Sequence, residues 1–218
     1  MATTSTPMIS LVMSVHDQGE LIEQNLPLFL TQQCRHDYEV IVVDDASSDD
    51  TPDALKRLKA TYPHLYTTFI PKSVPNPCRQ RLALTIGAKA AKGEWVVLAD
   101  VSRPPRSESL LDGMLDKASE QQAEVVMMYS RCKSNDTIRY QSWASLDSAI
   151  PLLRKAERRS GHGHRGKWLK RCRGLYDAVA VPRTIIHDTL KHYDDNVRGR
   201  RLAGLRLHVW WKNLLNRS

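Results

Sequence analysis

The chain has 218 residues, of which 41% are hydrophobic. This length and composition fit one α/β-sized domain with an appendage and exclude several independent domains. The four cysteines have no CxxC spacing, which argues against a zinc site or a disulfide framework and fits free thiols in a reducing compartment.

The formal net charge of +8 is concentrated at one end, because residues 151–218 hold 17 lysines and arginines against five acidic residues. A basic tail attracts phosphates on nucleic acid, on anionic lipid or on a phosphorylated substrate, and charge alone does not distinguish them. The polar start 1–7 lacks the basic region of a secretion signal, and the apolar run 8–15 is too short to span a bilayer. We therefore expect a cytoplasmic protein whose basic tail allows peripheral contact with the inner face of a membrane.

Strand and helix patterns alternate over the first 130 residues. Short apolar runs predict buried strands, and longer segments with apolar residues at helical spacing predict helices. In chain order these are Met8–Val15 (strand), Glu20–Gln33 (helix), Tyr38–Val43 (strand), Thr51–Tyr62 (helix), Thr67–Ile70 (strand), Arg79–Ala91 (helix), Trp95–Ala99 (strand), Leu110–Ala118 (helix) and Glu124–Tyr129 (strand). The alternation predicts an α/β fold with a Rossmann-type, mostly parallel sheet flanked by helices.

Two details of these helices follow from single residues. Pro27 is expected to disturb the middle of the first helix, because proline has no N–H to donate. Thr51 followed by Pro52 fits an N-cap and first-turn position at the start of the second helix.

After residue 135 the pattern weakens into a basic helical and loop extension. The expected elements are Asp147–Glu157 (helix), Arg158–Arg173 (loop), Tyr176–Val181 (strand) and Leu202–Leu215 (amphipathic helix). The last helix carries Trp210 and Trp211, and its apolar face is expected to pack on the sheet, with a membrane interface as the alternative. The aromatic residues are not interleaved with the basic ones as stacking platforms, which argues against a nucleic-acid-binding arm.

Polar loops follow three of the predicted strands: His16–Gly19, Asp44–Asp50 and Asp100–Arg103. In open α/β sheets, ligands bind at the carboxyl ends of the strands. A carboxylate there accepts hydrogen bonds from a nucleobase imide or a ribose hydroxyl. The alternative is an acidic loop that caps the next helix.

Three segments together resemble family 2 glycosyltransferases over about residues 8–130: SLVMSVHDQGE, YEVIVVDDASSDDT and LALTIGAKAAKGEWVVLAD. The resemblance implies a GT-A fold. It also implies an enzyme that moves a sugar from a nucleotide diphosphate sugar, a UDP sugar, to a hydroxyl of a glycan or lipid-linked acceptor. Residues 1–135 would then form the nucleotide-sugar-binding core. Residues 136–218 would form a basic acceptor-side or tail region, shortened relative to the family.

The resemblance also implies which residues contact the donor. Val15, His16 and Asp17 would border the base, and Asp45, preceded by Asp44, would accept its imide N–H. Arg79 or Arg81 would lie near the nucleotide; either could instead be a solvated helix charge.

The metal motif of that family is Asp-x-Asp after the fourth strand, where a divalent cation, Mg²⁺ or Mn²⁺, bridges the diphosphate. Here the stretch is Asp100, Val101 and Ser102. A hydroxyl is a weaker, uncharged ligand for a hard cation, so Ser102 weakens the expected metal site. Arg103 could offset diphosphate charge by bidentate contact, or lie in solvent.

An inverting sugar transferase needs a general base for the acceptor hydroxyl. The acidic pair in the C-terminal third is Asp194 with Asp195, which fits that role or an exposed turn. The late aromatic and basic motif of the family is not recognisable. The alternative hypothesis is therefore a catalytically weak or inactive relative that binds a nucleotide, a membrane or a protein partner.

Overall fold

A computed structural model of the chain describes residues 9–72, 79–130, 138–143 and 178–186. The strands are β1 (Ile9–Val15), β2 (Tyr38–Asp44), β3 (Leu65–Phe69), β4 (Trp95–Ala99), β5 (Val125–Ser130), β6 (Ile138–Trp143) and β7 (Ala178–Pro182). The helices are α1 (Gly19–Leu30), α2 (Thr51–Thr61), α3 (Arg79–Ala90) and α4 (Leu110–Glu120).

All seven strands form one sheet in the order β3-β2-β1-β4-β7-β5-β6. Strands β3, β2, β1 and β4 are parallel, whereas β7 runs antiparallel to both β4 and β5, and β6 runs antiparallel to β5. Five of the seven strands therefore share one direction, which confirms the predicted mostly parallel sheet.

Helices cover both faces of the sheet. Helices α1, α2 and α4 contribute to one buried core, and α3 packs on the other face. Gly87 brings α3 against β1, since a Cβ there would lie 2.4 Å from Cγ1 of Val12. The close approach of helix and sheet aligns the ends of the strands that carry the polar loops.

The structure corrects the prediction for the start of α2. Asp50 is the N-cap residue and Thr51 is the first helical residue, so Thr51 does not cap this helix. Its hydroxyl instead accepts the Gln18 N–H at 2.9 Å. Pro27 lies inside α1 without ending it, and the N–H of Thr31 donates to the Pro27 carbonyl at 2.9 Å.

The C-terminal predictions are tested only in part. Strand β7 confirms the strand expected at Tyr176–Val181, while β6 is a strand that the sequence pattern did not predict. The segments Asp147–Glu157, Arg158–Arg173 and Leu202–Leu215 lie outside the described residues. The division at residue 135 stays a prediction. In the ranges that the structure describes, the helices are too short or too polar to cross a membrane.

A buried polar network joins the loop between α3 and β4 to the amino ends of β1 and β2. The Ser10 hydroxyl donates to Oε1 of Glu39 at 2.5 Å and accepts the Gly93 N–H at 2.7 Å. The same Glu39 oxygen accepts the Lys92 N–H at 2.7 Å. Ser10 and Glu39 are almost fully buried, so each of these bonds replaces hydration that the folded chain has lost.

Ser10→Ala is expected to lower the free energy of unfolding by about 2 kcal/mol, because it leaves a buried N–H and a buried carboxylate oxygen short of a partner. Urea unfolding followed by circular dichroism measures this loss. Ser14→Ala, on the same face of β1 but only half-buried, is the matched control. Equal midpoints for the two variants would contradict the role of the network.

Cys34 lies between α1 and α4 beside an acidic side chain. Its thiol donates to Oδ1 of Asp112 at 3.2 Å. Burial, together with the hydrogen bond and charge of Asp112, raises the pKa of the Cys34 thiol to about 11. The thiolate is the nucleophilic form, so the native thiol is unreactive near neutral pH.

We expect Cys34 to react with iodoacetamide at pH 8 much more slowly in the native protein than in urea. Peptide mass spectrometry separates its labelling from that of the other three cysteines, which lie outside the described residues. Equal native and unfolded rates at Cys34 would show that its environment does not suppress the thiolate.

Candidate functional site

Three polar loops meet at the carboxyl edge of the sheet. Because β2, β1 and β4 are neighbours and parallel, the loops that follow them lie side by side. The sequence predicted these three loops, and the structure brings them together. This edge is the candidate site.

The backbone joins the first two loops directly. The Asp45 N–H donates to the Val15 carbonyl at 2.8 Å. His16 Nδ1 lies 2.7 Å from the Asp45 carbonyl oxygen, and because a carbonyl only accepts, Nδ1 is the donor. Asp17 and Ala46 both have positive φ, 48° and 57°. Non-glycine residues adopt this region when surrounding contacts hold them there, and these loop contacts do so.

Side chains reinforce the same junction. Oδ1 of Asp17 accepts the Ser48 N–H at 2.7 Å, while the Asp17 N–H donates to Oγ of Ser47 at 2.9 Å. The Ser47 hydroxyl in turn donates to Oδ1 of Asp44 at 2.5 Å. The hydrogen bond from the Ser48 N–H, with the nearby His16, holds the pKa of Asp17 below its usual value. The Asp17 carboxylate thus fastens the two loops to each other, and the Asp44 carboxylate orients the Ser47 hydroxyl within its own loop.

Asp49 serves the N-termini of two helices, a role that the sequence analysis did not assign to it. Its Oδ2 accepts the Gly19 N–H at 2.9 Å and its Oδ1 accepts the Thr51 N–H at 3.0 Å. Slight burial raises the pKa of Asp49, but the hydrogen bonds from Thr51 and Gly19 outweigh it and lower the pKa. The alternative reading of the acidic loop, as a helix cap, therefore holds for Asp49. The available signal was its place two residues before the helix start.

The same contacts limit where a ligand anion can bind. A free helix N-terminus attracts phosphate, but the Asp49 carboxylate already neutralises the first turns of α1 and α2. There is also no spare room at Gly19, where a Cβ would lie 3.1 Å from the Thr51 nitrogen. These contacts therefore disfavour an anion at the N-termini of α1 and α2.

The third loop turns sharply at Asp100. Its carboxylate is half-buried, and Oδ1 accepts the Ser102 N–H at 2.9 Å and the Ser102 hydroxyl at 2.7 Å. The Arg103 N–H donates to the Asp100 carbonyl at 2.9 Å, and the Arg103 side chain is half-buried. Asp100, Ser102 and Arg103 thus form one hydrogen-bonded turn.

The described part of the chain does not contain a ready-made metal cluster. No three or more histidine, cysteine, aspartate or glutamate side chains gather there as candidate ligands. Of the expected site residues, Arg79 and Arg81 lie in the first turn of α3, where only the backbone is described. Asp194 and Asp195 fall outside the described residues.

Comparisons with known proteins come from sequence and from structure. A family model described as glycosyl transferase family 2 matches residues 10–193. A poly(ribitol-phosphate) beta-glucosyltransferase of Bacillus spizizenii is 32% identical over 104 residues, which are 47% of this chain and 16% of that protein. The chain therefore spans a small part of this curated relative.

Two solved structures are similar in fold. The mannosyltransferase PcManGT from Pyrobaculum calidifontis, solved with GDP-Man and Mn²⁺, has a TM-score of 0.57 at 20% identity, over 85% of this chain and 47% of that chain. The 4-diphosphocytidyl-2C-methyl-D-erythritol synthase from Anaerococcus prevotii has a TM-score of 0.53 at 13% identity, over 97% and 84%. At these identities the likeness concerns the fold alone.

Proposed function

This chain belongs to glycosyl transferase family 2, as its three loop motifs predicted, and we propose that it moves a sugar from a nucleoside diphosphate sugar to an acceptor hydroxyl. The observation that carries the proposal is that the loops after β1, β2 and β4 lie side by side at the carboxyl edge of the sheet, with the first two joined by hydrogen bonds.

The base of the donor is proposed to bind at Asp45. An ionised carboxylate only accepts hydrogen bonds. Uracil and guanine present an imide-type N–H to it, whereas adenine and cytosine present an unprotonated ring nitrogen. Asp45 is 7% exposed, so a hydrogen bond made there is shielded from water. These properties favour a uridine or guanosine donor, and the UDP sugar expected from the sequence is one of the two.

The other loop residues support this pocket. Asp44 and Asp17 have carboxylates engaged with Ser47 and Ser48, and their proposed role is to hold the loops that border the base. Nε2 of His16 lies 3.5 Å from Oδ2 of Asp17, and the His16 side chain is 58% exposed. Its ring is therefore accessible to a base placed over the end of β1.

Asp100 is proposed to act at the diphosphate. Mg²⁺ commonly binds through one or two carboxylates together with substrate phosphates and water. The single Asp100 carboxylate fits a Mg²⁺ or Mn²⁺ ion that arrives with the donor. When bound, the cation would offset the charge that develops on the leaving diphosphate. Arg103 is placed in the same turn and would add positive charge there.

In the proposed reaction the acceptor oxygen bonds to the anomeric carbon while the bond from that carbon to the diphosphate oxygen breaks. The leaving nucleoside diphosphate keeps the electron pair, and a base takes the acceptor proton. The sequence candidates for this base are Asp194 and Asp195. The acceptor, a glycan or a lipid-linked group, and membrane contact through the basic tail belong to the same proposal.

The activity is tested by incubating the protein with UDP-glucose, UDP-GlcNAc or GDP-mannose in the presence of Mn²⁺, and following release of UDP or GDP. Slow release without acceptor, lost in Asp100→Ala, is the expected result. Release that is equal in wild type and Asp100→Ala would contradict the proposed site.

Ser102 motivates a second candidate, a relative that binds a nucleotide or a partner without turnover. A hydroxyl stands where the family motif has its second carboxylate. If wild type binds the nucleotide but releases none from sugar donors, and Ser102→Asp gains release, the binding role is favoured. Release by wild type itself would exclude it.

A further inference from the structure

The turn after β4 holds the Asp100 carboxylate through one oxygen. Both the Ser102 N–H and the Ser102 hydroxyl donate to Oδ1, at 2.9 and 2.7 Å. A carboxylate oxygen has two lone pairs, so two donors fill Oδ1. Within residues 9–72, 79–130, 138–143 and 178–186, no further hydrogen bond or ion pair reaches this carboxylate, which leaves Oδ2 as the oxygen for a ligand.

The turn is also held by contacts with the hydrophobic core and with α1. Val101 is fully buried in the core that contains α1. Its carbonyl accepts the side-chain N–H of Asn25, Nδ2 to O 2.9 Å, from the middle of α1. Rotating the turn would break this bond and expose Val101. The direction of the Asp100 carboxylate is therefore set before any ligand binds, which reduces the reorganisation that binding requires.

We propose that Ser102 and Asn25 are positioning residues that present Oδ2 of Asp100 to the cation on the donor diphosphate, and that Ser102 does not itself bind the cation. The inference rests on the proposed function. It gives a role to the residue that departs from the Asp-x-Asp pattern. The Ser102 hydroxyl, which stands in place of a second carboxylate ligand, orients the Asp100 carboxylate. With one charged ligand among the described residues, the cation would bind together with the diphosphate, and each would strengthen binding of the other.

The test is calorimetric titration of the whole chain with UDP and with GDP, with and without Mn²⁺. Ser102→Ala is expected to weaken the Mn²⁺-dependent affinity about three- to tenfold and to leave the Mn²⁺-independent affinity unchanged. Ser102→Thr, which keeps the hydroxyl, should restore wild-type affinity within about twofold. Asn25→Ala should resemble Ser102→Ala. Gln24→Ala, which removes an exposed side chain on the same helix that donates to Glu20, is the matched control.

A cysteine at this position distinguishes positioning from ligation. For each protein, the ratio of nucleotide affinity with Cd²⁺ to nucleotide affinity with Mn²⁺ is measured. If the side chain at position 102 bound the cation, this ratio would be at least tenfold higher in Ser102→Cys than in wild type, because thiolate prefers soft cations. We expect no such gain, and observing it would overturn the inference.

The remaining outcomes separate the two proposals. Absence of Mn²⁺-dependent binding in wild type would contradict the proposed function and this inference with it. Wild-type binding that Ser102→Ala and Asn25→Ala leave unchanged would contradict this inference alone. Unfolding midpoints equal to wild type show that each variant is folded.

Discussion

Asp45→Ala is expected to lower the affinity for UDP or GDP by about 10- to 100-fold. The removed carboxylate is proposed to accept the base N–H, and a hydrogen bond to a charged group contributes about 1.5–3 kcal/mol. The backbone contacts of residue 45, from its N–H to Val15 and from its carbonyl to His16, do not depend on the side chain. Calorimetric titration with UDP and with GDP measures the loss.

Two controls sharpen this result. Asp53→Ala removes an exposed carboxylate from α2 and should leave the affinity unchanged. Asp45→Asn keeps one acceptor oxygen but loses the charge, so its affinity should lie between wild type and Asp45→Ala. If Asp45→Ala binds as wild type does, Asp45 does not contact the base.

Gly93→Ala is expected to lower the free energy of unfolding by about 3 kcal/mol or more. A Cβ at this position would lie 2.6 Å from the Ile9 carbonyl carbon and from the Ser10 nitrogen. These are backbone atoms of β1, a central strand of the sheet, so they cannot move aside as a flexible side chain would. The displacement would also disturb the bond from the Gly93 N–H to the Ser10 hydroxyl. Overpacking of this kind is strongly destabilising.

Chemical denaturation compares this variant with Gly113→Ala, which lies inside α4. Alanine is favoured over glycine in a helix interior, so Gly113→Ala should be as stable as wild type or more so. A Gly93→Ala protein as stable as wild type would show that β1 yields at this point.

The sequence was sufficient to predict β1 to β5 and the three loops because each rests on a local pattern. Apolar runs alternate with helical spacing, and parallel strands put their carboxyl ends at one edge. Strand β6 was missed because its six residues, IRYQSW, contain no continuous apolar run. The place of β7, antiparallel between β4 and β5, depends on pairing such as Trp95 with Pro182 over a long sequence separation. A local pattern does not specify such a partner.

The candidate site also has a part that the sequence predicted and a part that it did not. The residue types at the strand ends pointed to Asp45 and Asp100, since a carboxylate at that place has an evident chemistry. The junction of the loops was not predictable, because bonds such as that between Asp17 and Ser48 join segments about 30 residues apart. The same holds for Thr51, which has the residue type of an N-cap but bonds to the neighbouring loop instead.

The most direct test of the central claim is a titration of the wild-type chain with UDP, GDP, ADP and CDP in the presence of Mn²⁺. The account predicts that UDP or GDP binds at least tenfold more tightly than ADP and CDP, since only uracil and guanine offer an imide-type ring N–H to Asp45. Equal binding of all four would contradict recognition of the base by Asp45, and binding of none would contradict a nucleoside diphosphate site at this edge of the sheet.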